Sequence, residues 1–189
     1  RDAVGPLGCL DVDGVAEGHA VRLAPLGEGI FPAYDLALQA RAQAGAADRA
    51  VPAPVPAEVV DDRAWLGEPF LVMPLVDGHV PGEMAAFDPL VRSLAPATQR
   101  GLYEGVADAL ATLHTADPPG DLPHRSVEAD LASWTDYLAW YADGDEAAPA
   151  LAEALAWCGE HRPATEPAPA LLWGDVRMGN VVFADDGSV

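Results

Sequence analysis

The sequence predicts an α+β protein of two lobes, and three observations carry that reading. Short apolar strand candidates crowd the first third of the chain, amphipathic helices follow, and the texture changes at Gly78. Strands first and helices later separate a sheet-bearing lobe, residues 1–78, from a helical one, residues 79–189.

The elements follow in order. "DVDG", from Asp11 to Gly14, reads as a hairpin turn. "HAVRLAP", from His19 to Pro25, reads as a strand with Arg22 as its sole charge. A buried, unpaired cation is costly, so Arg22 is expected to point into the cleft between the lobes, toward Gln39 or Asp35. "YDLALQARAQAG" places Leu36, Ala40 and Gln43 or Ala44 on helical spacing, with Gly45 as the expected C-terminal stop. "VPAPVPAEVV" holds three prolines and must run extended. "PFLVMPLVDG" reads as a buried strand ending at Pro74, with a turn at Asp77–Gly78.

The clearest helix is "APATQRGLYEGVADALATLHTAD", where Leu102, Val106, Leu110 and Leu113 form one apolar stripe. Two more helices are expected over 126–142, capped by Ser126, and over 149–161. "EPAPA" reads as a linker, "ALLWGD" as a short buried stretch, and "VVF" as a strand followed by the turn "ADDGS". No repeat or heptad array is visible.

Composition narrows the function. Half of the 189 residues are apolar, which is enough for a real core. Thirty acids against ten Lys and Arg give a formal charge of −20. That excess argues against a nucleic-acid groove or an anionic membrane surface, both of which need clustered positive charge. It is compatible with a cationic substrate, and with acids spread over solvated helix faces for solubility. Cys9 and Cys158 stand far apart and form no CxxC, which points to a reducing, cytoplasmic setting. No apolar run approaches the ~20 residues of a membrane span, and no leader peptide is visible behind Arg1. Because the chain does not begin with Met, residues upstream are expected to have been removed or left out of this segment.

The chemistry concentrates in "LLWGDVRMGNVVF". An aspartate, Asp175, and an asparagine, Asn180, stand five residues apart on a loop between apolar segments. Phosphoryl transfer to a hydroxyl uses such a pair, with the acid taking or orienting the hydroxyl proton and the amide helping to hold Mg²⁺ beside nucleotide phosphates. The loop must be rigid for both to converge, and Gly174 and Gly179 bracket it. A competing pattern, Gly27-x-Gly29 between a strand and a helix, fails as a dinucleotide fingerprint because Pro32 falls where the third glycine belongs.

With "LLWGD" before it and "NVVF" after it, the loop resembles the HGD-x-x-x-x-N loop of the aminoglycoside phosphotransferase family, relatives of choline kinases and protein kinases. The resemblance spans about Val21 to Val189 and implies a protein-kinase-like two-lobed fold, incomplete at both ends, that uses ATP and Mg²⁺ to phosphorylate a hydroxyl of a small molecule. By that likeness Asp175 is the catalytic acid–base and Asn180 a metal ligand. Arg22 stands where a strand Lys usually neutralises phosphates. Gln39 stands where a helix acid usually pairs with it, with Asp35 one turn earlier. "FLVMPLVDG" resembles the hinge that reads adenine, with the Pro74 carbonyl and Val76 amide facing the base and Met73 behind it. His114, at the end of the long helix, is expected to be structural, and His19, His79, His124 and His161 lack metal-ligand spacing.

The family's second metal-binding acid is expected shortly beyond Val189, since Asp185 and Asp186 lie in a turn and should face solvent. Its glycine-rich loop should precede residue 11, where "RDAVGPLGCL" shows no convincing version. The segment is thus expected to be part of a working enzyme. The alternative is a catalytically inactive, kinase-like module that binds a nucleotide or partner, suggested by Gln39, by Trp173 in place of the usual His, and by the missing acid.

Overall fold

The computed structural model describes residues 8–12, 15–25, 29–82, 84–142, 149–166, 168–184 and 187–188. The expected turn residues Asp13 and Gly14, Gly27 of the rejected glycine pattern, and Asp185 and Asp186 lie outside these.

Four strands build one antiparallel sheet: β1 (Gly8–Val12), β2 (Val15–Leu23), β3 (Glu58–Val60) and β4 (Phe70–Pro74), in the order β1-β2-β4-β3. β2 begins well before the expected His19, because it pairs along its first half with β1, a strand not anticipated from the sequence. β3 follows Pro52, Pro54 and Pro56 and sits at the sheet edge, where residues without a donor do least harm. β4 ends at Pro74 as expected.

Helix α1 (Leu36–Ala47) is opened by Asp35, whose carboxylate accepts from Leu38 N at 2.7 Å. Gly45 does not end it. The chain turns at Ala50, with φ 59°, where Ala50 N donates to Ala47 O at 3.0 Å and Val51 N to Ala46 O at 3.1 Å. That is a Schellman closure with alanine in the left-handed position, and Val51 packs with Ala46 in the core as its hydrophobic contact. Gly45 is needed for another reason: a Cβ there would lie 2.4 Å from Pro119 Cγ.

The helical part comprises α2 (Pro89–Ser93), α3 (Pro96–Thr115), α4 (Val127–Ala142) and α5 (Pro149–Glu160). α2 and α3 each start with proline at a first-turn position, where its missing N–H costs nothing. Ser126 caps α4 as expected, with Ala129 N donating to its Oγ at 3.1 Å. Glu166, in the expected linker, accepts from Val127 N through both carboxylate oxygens.

Two buried clusters meet along α3. Its N-terminal half gives Leu102 to a group with Val91, Val181 and Phe183; its C-terminal half gives Ala109 and Leu113 to one with Ala46, Val51 and Leu171. The expected stripe holds at Leu102 and Leu113, while Val106 and Leu110 are half-buried and Ala109 takes the buried place between them. His114 is exposed rather than packed. α4 and α5 bury no residue among those described. No described helix is long and apolar enough to cross a membrane.

Candidate active site

The loop carrying Asp175 is anchored by Leu171, which is buried, and by Trp173, which packs against both clusters. "ALLWGD" is not buried throughout, however, since Leu172 is 72% exposed. Gly174 adopts φ 87° with no neighbour near its missing Cβ, so the backbone angle, not space, favours glycine there. Gly179 needs no such freedom, because it sits within a short 3-10 turn, Met178–Asn180, and is not among the described residues of positive φ. "VVF" forms no full strand. Only Phe183 pairs, in an antiparallel bridge with His79.

The turn folds Asn180 back onto the acid. Asn180 Nδ2 donates to Asp175 O at 2.8 Å and to Asp175 Oδ2 at 3.2 Å. Arg177 Nε lies 3.0 Å from the same Oδ2. The Asp175 side chain is 71% exposed, so the cluster opens to solvent. With its nitrogen engaged, Asn180 keeps Oδ1 for a cation, and no described group donates to Asp175 Oδ1. Mg²⁺ takes hard oxygen ligands and needs only one or two from the protein beside phosphates and water. These residues fit that requirement, although no three His, Cys, Asp or Glu side chains converge among the described residues.

The sheet supplies a second group. β2 and β4 pair Ala20 with Met73 and Arg22 with Leu71, and directly opposed residues share a face, so these four side chains project together. Arg22 is exposed and Leu71 fully buried. Asp35 engages its Oδ1 in the helix cap, and among the described residues no ion pair joins it to Arg22 as expected. Gln39 is half-buried on α1, its N–H bonded to Asp35 O.

The geometry of the expected hinge residues follows from the ladder. Ala24 N donates to Pro69 O, and Leu75 N to Gly18 O, both at 2.9 Å. Alternation then turns the Pro74 carbonyl away from β2, past the end of β3, which pairs no further than Val72. Proline has no N–H on that side to leave unpaired. The Val76 N–H makes no hydrogen bond among the described residues, and both residues are exposed.

Beyond Val76, Gly78 passes so close to the chain after the loop that a Cβ would stand 2.6 Å from Phe183 O and from Val182 Cγ1. His79 and Phe183 exchange backbone hydrogen bonds of 2.8 and 2.9 Å. His79 Nε2 lies 3.1 Å from Asp88 Oδ1, and Asp88 caps α2 by accepting from Leu90 N and Val91 N while its other oxygen accepts from Gly82 N. The Val91 N–H, then the Gly82 N–H and His79, hold the Asp88 carboxyl below its ordinary range against the opposing effect of burial.

Asp175 and Asn180 are brought together. No described hydrogen bond or ion pair links Arg22 or Gln39 to them. Sequence reasoning missed Arg177 and the His79–Asp88 pair. Arg177 was in view as the basic residue between acid and amide, but the His79–Asp88 contact depends on a fold-back of nine residues that no spacing rule marks.

A small antiparallel sheet followed by a helical region bearing an acid–amide loop defines a kinase-like α+β class. The chain belongs to the Phosphotransferase enzyme family, which matches residues 20–189. It is similar in structure to a crystallised protein of Ralstonia eutropha JMP134, provisionally named an aminoglycoside phosphotransferase. The TM-score is 0.61 at 22% identity, covering 95% of this chain and 55% of that one. Among curated proteins it is 29% identical over 148 residues to a probable acyl-CoA dehydrogenase of Arabidopsis thaliana, 70% of this chain and 17% of that protein. It is 23% identical over 171 residues to acyl-CoA dehydrogenase family member 11 of Homo sapiens, 87% of this chain and 21% of that protein. The chain spans about a fifth or less of these curated relatives.

Proposed function

We propose that this chain carries the ATP- and Mg²⁺-dependent transfer of a phosphoryl group to a hydroxyl of a small molecule. The observation that carries the reading is the acid–amide pair on a rigid turn, Asn180 Nδ2 against Asp175 at 2.8 and 3.2 Å, in a chain of the phosphotransferase family. Asp175 accepts or orients the acceptor's proton, and Asn180 offers Oδ1 to the cation. When bound, Mg²⁺ neutralises charge on the nucleotide phosphates. Arg22 adds positive charge on the cleft side of β2, with Gln39 on α1 nearby in role but neutral. Pro74 O and Val76 N receive the adenine edge, with Met73 behind it.

The reading divides the chain at Gly78 and places it in the cytoplasm. The formal charge of −20 favours a cationic acceptor over an anionic one and gives no basis for nucleic-acid or membrane binding. A second reading, binding without turnover, draws on Gln39 being neutral and on the absence of an ion pair between Arg22 and Asp35 among the described residues.

The test uses the full-length protein with Mg²⁺-ATP and a panel of alcohols: an aminoglycoside, a macrolide, choline and a hydroxyacyl thioester. ADP release that depends on one acceptor, with phosphate found on its hydroxyl by mass spectrometry, is the expected result. ATP binding without turnover across the panel would favour the second reading.

A further inference from the structure

We infer that Arg177 is a positioning residue for Asp175, dividing the two oxygens of that carboxylate between structure and chemistry. The inference rests on the phosphotransfer reading of the loop and adds a role that the acid–amide pattern does not contain. A hydrogen bond from Asn180 and the ion pair with the Arg177 guanidinium, whose Nε–H is not aligned to donate, converge on one atom. Arg177 Nε stands 3.0 Å from Asp175 Oδ2, and Asn180 Nδ2 stands 3.2 Å from it. No described group donates to Oδ1.

A carboxylate 71% exposed would otherwise rotate freely about its last bond. Held through Oδ2, it presents Oδ1 outward as the atom that receives the acceptor's proton while the acceptor oxygen bonds to the γ-phosphorus and the bond to ADP breaks. The backbone explains why the side chain reaches back. Arg177 is extended, at φ −153° and ψ 157°, just before the 3-10 turn, and its carbonyl accepts from Asn180 N at 2.9 Å. One residue therefore sets the turn with its backbone and the acid with its side chain. Arg177 lies two residues from Asp175, and a fixed guanidinium loses less freedom per contact than a Lys ammonium does.

The test is a double-mutant cycle on the full-length protein, reading kcat and KM for Mg²⁺-ATP with ADP release to water as the acceptor. Arg177→Ala should lower kcat by about tenfold with KM for ATP changed less than about twofold, and Arg177→Lys should recover part of the loss. In an Asp175→Ala background, Arg177→Ala should cost nothing further, because groups that act as a unit are not additive. Equal losses in both backgrounds, or a large rise in KM for ATP, would instead put Arg177 on the nucleotide phosphates and overturn the inference. If Asp175→Ala leaves turnover untouched, the phosphotransfer reading itself fails. The Asn180 side-chain amide resonance still decides the present point. It should shift in Arg177→Ala, and an unchanged signal would show that Arg177 does not order the cluster.

Discussion

Gly45 lies against the ring of Pro119, so near that a Cβ on the glycine would stand 2.4 Å from Pro119 Cγ. The contact fastens α1, which lies between β2 and β3 in the chain, to the segment leaving α3. Arg49 reinforces it by donating to the carbonyls of Asp117 and Gly45. Helix propensity favours alanine over glycine by about 1 kcal/mol, but overpacking against a rigid ring costs about 1–3 kcal/mol. Gly45→Ala should therefore destabilise the protein despite its helical position. Gly101, on α3 with nothing within 4 Å, makes the control, and Gly101→Ala should raise the melting temperature. Thermal unfolding of the two variants side by side checks the sign.

Ala50 gives the converse case. Its φ of 59° costs an L-residue about 1–2 kcal/mol that glycine avoids. Ala50→Gly should be stabilising, by less than that amount because glycine also loses more entropy on folding. A lower urea midpoint for Ala50→Gly would mean that the Schellman closure does not persist in solution.

These two positions show where the sequence was legible and where it was not. The strand at Phe70–Pro74, the helix at Pro96–Thr115 and the Ser126 cap could be read because each rests on local pattern or local chemistry. Gly45 misled because the usual reason for a glycine near a helix end is a left-handed cap. Here the reason is a neighbour 74 positions away, and tertiary contacts leave no local mark. β1 was missed for a related cause: a strand becomes visible by its partner, and its five residues, Gly8–Val12, show no clean alternation. In the loop, the acid and the amide were legible as residue types at a spacing. That Asn180 spends its nitrogen on Asp175 and that Arg177 joins them depends on the 3-10 turn that follows Arg177, which no spacing in the sequence marks.

Asp88 should impose a pH dependence. Its carboxyl titrates below its ordinary range in the folded state, so the stability it contributes is present above the unfolded value, about pH 4. That contribution is lost as pH falls through the lower folded value. Asp88→Ala should lower the melting temperature by a few degrees at neutral pH, with the gap from wild type closing as pH drops below about 4. A gap independent of pH would mean that the Val91 and Gly82 N–H contacts are not what holds the carboxylate.

Trp173 packs against both buried clusters, the one with Leu171 and the one with Phe183. Trp173→Ala should cost about 3 kcal/mol by urea unfolding, because the cavity opens between two cores. Trp173→Phe should cost less, keeping the apolar contact. A larger loss for Phe than for Ala would contradict a packing role.

Asp175 and Asn180 should separate in kinetics because their atoms are committed differently. If Asp175 Oδ1 is the proton acceptor, as proposed, Asp175→Ala in the full-length protein should cut kcat by about 10²–10⁴-fold while barely changing nucleotide affinity. Asn180 Nδ2 holds Asp175 at 2.8 and 3.2 Å, and in the proposed function its Oδ1 serves the cation. Asn180→Ala should lower kcat and also raise the Mg²⁺ concentration needed for half-maximal activity, since a ligand is removed along with a brace. Asn180→Asp discriminates further. It keeps an oxygen for Mg²⁺ but loses the donor and sets two carboxylates against each other, so Mg²⁺ demand should stay near wild type while kcat falls. Chelating Mg²⁺ should abolish turnover in every variant. The measurement is ADP release against Mg²⁺ at saturating ATP, and an Asn180→Ala variant with an unchanged Mg²⁺ requirement would remove Asn180 from the metal site.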